Sequence, residues 1–256
     1  MAAKHTHKLS PEATAVLLKA TAEGCIIRLP EGKLPMPVFK EIKKVMEASS
    51  GKWHTPSQGF VLQQDAEVTL KNLLGSGSVT DQKKVFQAYY TSDSISDEVA
   101  YLADVKGRIV LEPSAGGGHL AKACMRAGAR RVDCIELNPK AFDGLVLAGF
   151  MTVRDDFLKL KAGPGSRYHR IVMNPPFCVK KGLGKQDVAH IRHARDEWLE
   201  PEGFITSIVP GNGEKSRPDL FDSDLKARLV HQWPAGHFRE SGTMIANMLI
   251  RVYPKA

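Results

Sequence analysis

The chain has 256 residues, 43% of them hydrophobic and 25% charged, with a formal net charge of +8. That is room for one large core plus a small appended module, and the basic balance points to a polyanionic partner. No apolar run approaches the roughly 18 residues of a membrane span, no apolar segment follows the charges of the first residues, and the cysteines form no C-x-x-C pair. A membrane protein, a disulfide scaffold and a structural metal site are set aside, and a cytoplasmic location is expected.

In chain order, residues 1–8 read as disordered. Ser10-Pro11-Glu12 opens a short helix through Ala22, with serine as cap and proline in the first turn. Residues 24–29 read as a strand closed by Pro30-Glu31-Gly32. A helix over 38–48 places Val38, Ile42, Val45 and Met46 on one face. Residues 53–62 form two short strands around a Pro-containing turn, residues 66–74 form another helix, and Gly75-Ser76-Gly77-Ser78 has linker composition. Residues 1–84 are therefore expected to be a small α/β module, with twelve Lys or Arg against eight acids. Residues 85–256 follow as a second domain.

That domain begins with a helix over 96–102. Ile109-Val110-Leu111-Glu112-Pro113-Ser114-Ala115-Gly116-Gly117-Gly118 then runs from a buried strand into a glycine-rich turn, whose backbone can approach a ligand at a helix amino terminus. Glu136 ends the next strand, where an acid can grip ribose hydroxyls. Gly116-x-Gly118-x-x-Ala121 with Glu136 formally satisfies a dinucleotide fingerprint, so a nicotinamide dehydrogenase is one reading. Glu112-Pro113 before the glycines, Asp156-Phe157 at a third strand end and Asn174-Pro175-Pro176-Phe177 at a fourth argue against it, because hydride transfer needs none of them.

Asn174-Pro175-Pro176-Phe177 closes the apolar run Ile171-Val172-Met173, at the strand end where open α/β sheets bind ligands. An amide oxygen, a proline carbonyl and a flat aromatic face suit an exocyclic amine on a planar ring. Around this turn, residues 159–195 hold nine Lys or Arg against one acid, a pattern that favours phosphate backbones. A helix over 185–199, a buried strand over 203–210, a loop over 211–216, a helix over 220–229 and a last strand over 245–253 complete the alternation.

Tyr90-Thr91, Glu112-Pro113-Ser114-Ala115-Gly116-x-Gly118, Glu136, Asp156-Phe157 and Asn174-Pro175-Pro176-Phe177, in that order, resemble the S-adenosylmethionine-dependent, amino-methylating DNA methyltransferases, adenine-specific subgroup. The resemblance spans residues 86–253. It implies a Rossmann-like class I methyltransferase sheet of seven strands, mostly parallel with the last antiparallel, and helices on both faces. Tyr90 and Thr91 would lie near the cofactor's methionine carboxylate. Glu112, Pro113, Ser114, Ala115, Gly116 and Gly118 would border its amino group, Glu136 would bind its ribose, and Asp156 with Phe157 its adenine. Asn174, Pro175, Pro176 and Phe177 would grip the target base. Lys180, Lys181, Lys185, Arg239 and Ser241 would contact DNA.

The implied activity is methylation of the N6 amine of an adenine flipped out of double-stranded DNA, with no metal. The family often carries a separate target-recognition domain after the catalytic one. Here the residues after Phe177 are nearly used up in finishing the sheet, so recognition falls to residues 1–84 or to the loops at 178–187, 211–219 and 237–243. A brace or homodimer contact is the other role for residues 1–84. An RNA base amino-methyltransferase and a non-catalytic nucleic-acid-binding relative are the alternatives for the whole chain. Glutamine methylation of proteins usually goes with tyrosine in place of Phe177.

Overall fold

A computed structural model describes residues 6–62, 65–80, 91–177, 179–180, 184–238 and 245–255. The chain forms two compact units, Met1–Phe86 and Gln87–Ala256.

The first unit contains helices Pro11–Leu17, Met36–Ala48 and Ala66–Ser76 and six three-residue strands. These are β1 Thr6–Lys8, β2 Thr21–Glu23, β3 Ile26–Arg28, β4 Lys52–His54, β5 Gly59–Val61 and β6 Ser78–Thr80. Strands β2 to β5 form an antiparallel sheet in the order β2-β3-β5-β4. Leu17, Ile27, Ile42, Met46, Phe60 and Leu73 fill the core beneath it. Local chemistry sets the helix ends: the Ala13 amide donates to Ser10 Oγ, the Val68 amide donates to Asp65 Oδ1, and Gly77 at φ +62° closes the last helix.

Two expectations need correction here. Thr6–Lys8 is ordered as β1 and pairs antiparallel with β6, which begins at Ser78, the last residue of the stretch of linker composition. The pairing joins segments seventy residues apart, with the hydroxyls of Thr6 and Thr80 at 3.0 Å, and no local pattern announces it. The first helix also stops at Leu17, and Thr21–Glu23 turns back as β2.

The second unit is built on one seven-stranded sheet. Its strands are β7 Ile109–Pro113, β8 Arg131–Ile135, β9 Met151–Val153, β10 Tyr168–Met173, β13 Leu199–Pro210, β14 Arg228–Trp233 and β15 Asn247–Val252. A small hairpin of β11 Val179–Lys180 and β12 Gly184–Lys185 stands between β10 and β13. The sheet order is β14-β15-β13-β10-β7-β8-β9, and β15 is antiparallel to both its neighbours while the other pairings are parallel. This is the mostly parallel, Rossmann-like seven-stranded sheet that the resemblance implied.

Successive strand residues face opposite sides, and both sides are covered. Val110, Val172, Ile208 and Leu249 join one core; Leu111, Ile171, Val209 and Ile250 join the other. That is why these strands read as unbroken apolar runs. Helices Asp93–Leu102, His119–Arg126, Pro139–Leu147 and Gln186–His193 connect them. The expected helix over 220–229 is only Pro218–Phe221, because the chain is needed as β14 from Arg228 onward. Among the described residues no helix is long and apolar enough to cross a membrane, and no group of three His, Cys, Asp or Glu is placed to hold a metal.

Candidate active site

Chain order reverses direction across the sheet between β7 and β10, so their carboxyl ends flank a switch point. Ile171 is level with Leu111, which makes Asn174 and the Glu112–Ser114 corner leave the sheet side by side.

The corner turns sharply. Ser114, Gly116 and Gly118 all have positive φ, at +67°, +54° and +74°. The Ser114 and Ala115 amides donate to the Ile135 carbonyl, at 2.8 and 3.0 Å, which ties the turn to the end of β8. At Gly118 a side chain is excluded twice, by the conformation and by Leu145 Cδ2, which an added Cβ would approach to 2.7 Å.

Glu112 is 3% exposed, and its Oε2 meets no hydrogen-bond donor among the described residues. The Ala121 amide, in the first turn of helix His119–Arg126, favours the ionised form of the carboxyl group. Burial pushes the Glu112 carboxyl well above its ordinary range despite that donor, and the nearby Glu136 carboxylate pushes it the same way.

Glu136 is also buried. Its Oε2 accepts from the Gly116 amide at 2.5 Å and its Oε1 from the Asn138 amide at 2.7 Å. One carboxylate thus fixes both the glycine turn and its own loop. Each of its oxygens keeps a second lone pair.

At the end of β9, Asp156 Oδ1 accepts from the Leu158 amide, and Lys159 Nζ lies 3.8 Å from Oδ2. Phe157 is a core residue, with its ring centroid 4.9 Å from that of His193 and 6.0 Å from that of Trp198.

Asn174 follows β10 directly. Its Nδ2 donates to Thr91 Oγ1 at 3.1 Å, and Thr91 is 5% exposed. Pro175 is buried, and Phe177 is half-buried against the core that contains Trp233 and Phe238. Thr91, Glu112, the glycine turn and Asn174 therefore gather at the carboxyl ends of the two central strands β7 and β10. Tyr90, Lys181, Arg239 and Ser241 lie outside the described residues, and Lys180 is placed only as part of β11.

Among the described residues of the basic tract, Arg170, Lys185, Arg192 and Arg195 are engaged by acids, while Lys159 and Lys161 are exposed. Lys185 Nζ pairs with Asp219 Oδ1 at 3.0 Å, and Arg192 pairs with Asp224 at 2.9 Å. Arg195 is 3% exposed and held by Asp196 and Asp224. The guanidinium of Arg170 stacks on Phe204 and pairs with Asp104. Asp104, Asp219 and Asp224 lie about thirty or more residues from their partners, so a local count of charges misses them. Sequence reading also missed Arg217. It is 4% exposed, bonds Asp187 at 2.9 Å and the Pro210 carbonyl at 2.8 Å, and so ties the loop after β13 to the helix after the hairpin.

No protein-family model matches the chain, and no curated protein matches it in sequence. Solved structures do resemble it. The 23S rRNA methyltransferase ErmE is 19% identical with a TM-score of 0.49, over 65% of this chain and 69% of that one. A dimethyladenosine transferase from Plasmodium falciparum is 15% identical with a TM-score of 0.46, over 64% and 62%. The ribosomal protein L11 methylase from Lactobacillus delbrueckii subsp. bulgaricus is 15% identical with a TM-score of 0.44, over 63% and 79%. These names differ in substrate, and likeness at this level identifies none for this chain. The fold assignment stands on the strand order itself.

Proposed function

We propose that Gln87–Ala256 binds S-adenosylmethionine and methylates the exocyclic N6 amine of an unstacked adenine in a polynucleotide. The observation that carries this reading is the placement of Asn174-Pro175-Pro176-Phe177 at the switch point, beside Glu112 and the glycine turn. The residues present fit the cofactor. The buried, unpartnered oxygen of Glu112 suits a methionine ammonium, the spare lone pairs of Glu136 suit ribose hydroxyls, and Asp156 suits an adenine amine.

When bound, S-adenosylmethionine supplies a methyl group activated on a sulfonium. The chain's own residues must make the acceptor nucleophilic, because an aromatic amine has its lone pair delocalised into the ring. Asn174 Oδ1 and the Pro175 carbonyl would accept the two amine hydrogens and draw the nitrogen toward tetrahedral geometry. No strong base is needed at the outset, and the proton leaves only after the nitrogen has been alkylated. The amine is out of reach inside a duplex, so the base swings out, and Phe177 would flank it.

The test is labelled methyl transfer from the full-length protein to duplex DNA, RNA and protein, with nucleosides analysed after digestion. DNA enters because the motif order resembles DNA enzymes; RNA enters because a 23S rRNA methyltransferase is among the similar structures. The expected label is on N6 of adenine, and Asn174→Ala should abolish transfer while S-adenosylmethionine affinity stays within a few-fold. Label found only in protein, or wild-type turnover by the variant, would overturn the proposal.

A further inference from the structure

We infer that Thr91 is a positioning residue for the Asn174 carboxamide rather than a cofactor ligand; this rests on the function proposed above. A terminal carboxamide rotates about a broad, nearly two-fold torsion, so packing alone does not decide which end faces a substrate. The two ends differ completely in chemistry, since the oxygen accepts and the nitrogen only donates. In this structure the nitrogen end is engaged by Thr91, whose hydroxyl accepts from Nδ2 at 3.1 Å. The oxygen end is therefore turned away from Thr91. Rotated by half a turn, the amide would point its own N–H groups at an amine and withdraw the acceptor that the reaction uses.

The placement of Thr91 makes it a firm anchor. It is 5% exposed and lies just before helix Asp93–Leu102, whose Ile95, Val99 and Ala100 pack into the same core as Phe177. The strand that carries Asn174 is central and buried on both faces. Both partners of the bond thus adjoin packed elements of one unit, eighty-three residues apart in sequence.

Thr91→Val keeps the shape of the side chain and removes the acceptor, whereas Thr91→Ser keeps the hydroxyl. Labelled methyl transfer and calorimetric binding of S-adenosylmethionine are measured on the full-length wild type and both variants, with thermal melts as a check on folding. In Thr91→Val, kcat should fall roughly tenfold, the loss of one ordinary hydrogen bond expressed as a rate, while cofactor Kd stays within twofold. Thr91→Ser should recover most of kcat.

A loss of cofactor affinity that matches the loss of kcat/KM would make Thr91 a cofactor ligand and overturn the inference. So would an unchanged kcat in Thr91→Val, or a Thr91→Ser variant as slow as Thr91→Val. If the valine variant does not fold, a serine variant with wild-type melting and a tenfold lower kcat would overturn it equally. Absence of transfer by the wild type would instead refute the proposed function, so the two failures are distinguishable.

Discussion

Replacing Gly118 by alanine, with Gly107→Ala beside it, measures how tightly the glycine turn is held. Both glycines have almost the same φ, +74° and +72°. Alanine in that region costs about 1–2 kcal/mol at either position, partly offset by about 0.4–1 kcal/mol from a less disordered unfolded chain. Only Gly118 meets an obstacle. Its added Cβ would come within 2.7 Å of Leu145 Cδ2, whereas nothing lies within 4 Å at Gly107. Leu145 is 2% exposed in the core, so relief of the clash displaces packed neighbours, at about 1–3 kcal/mol. Urea unfolding of the two variants should therefore differ by that last amount, with Gly118→Ala the less stable. Gly118 also stands directly before the helix whose Ala121 amide supports Glu112, so S-adenosylmethionine affinity should weaken in Gly118→Ala and not in Gly107→Ala. Equal unfolding free energies for the two variants would refute the packing argument.

Because burial holds the Glu112 carboxyl above its ordinary range, ionising it against a cofactor ammonium should release a proton. Calorimetry in buffers of different ionisation enthalpy should show that release and an affinity that rises with pH, and Glu112→Gln should show neither. By the same linkage, Glu112 stabilises the cofactor-free fold fully below its unfolded-state value, and that contribution is lost as pH rises through the folded one. Arg217→Met leaves the buried Asp187 carboxylate unpaired and should cost about 3–5 kcal/mol in urea unfolding, whereas Arg192→Ala, at an exposed pair, should cost about 1 kcal/mol or less. Removing residues 1–82 should leave S-adenosylmethionine binding intact but lower polynucleotide affinity, if the first unit clamps the substrate. Undiminished methylation by the shortened chain would assign recognition to the loops around Asn174.

Local sequence reveals the central parallel strands of the second unit well, because burial on both faces turns β7, β10 and β13 into apolar runs. Ile171-Val172-Met173 stopping at Asn174 and Val110-Leu111 running into Glu112 mark two strand ends that the sheet sets side by side. Helix Pro139–Leu147 was missed although Asn138 caps it and Pro139 occupies its first turn, since its apolar residues make only a weak stripe. Structure that rests on distant partners is invisible in this way. The pairing of β1 with β6 joins chain ends of the first unit, and the fates of Arg170, Arg195 and Lys185 depend on Asp104, Asp224 and Asp219. Part of a cluster of cations in sequence is thus engaged in ion pairs in three dimensions. The bond between Thr91 and Asn174 belongs to the same class, because each residue was recognisable alone and their contact was not.

The central claim is tested most directly by expressing the full-length chain in a host without adenine methylation and sequencing its DNA and RNA with modified-base detection. The account predicts N6-methyladenine at a defined sequence in cells that carry the wild type and none in cells that carry Asn174→Ala. No methyladenine above the Asn174→Ala background in either polynucleotide, or equal modification by both proteins, would contradict it.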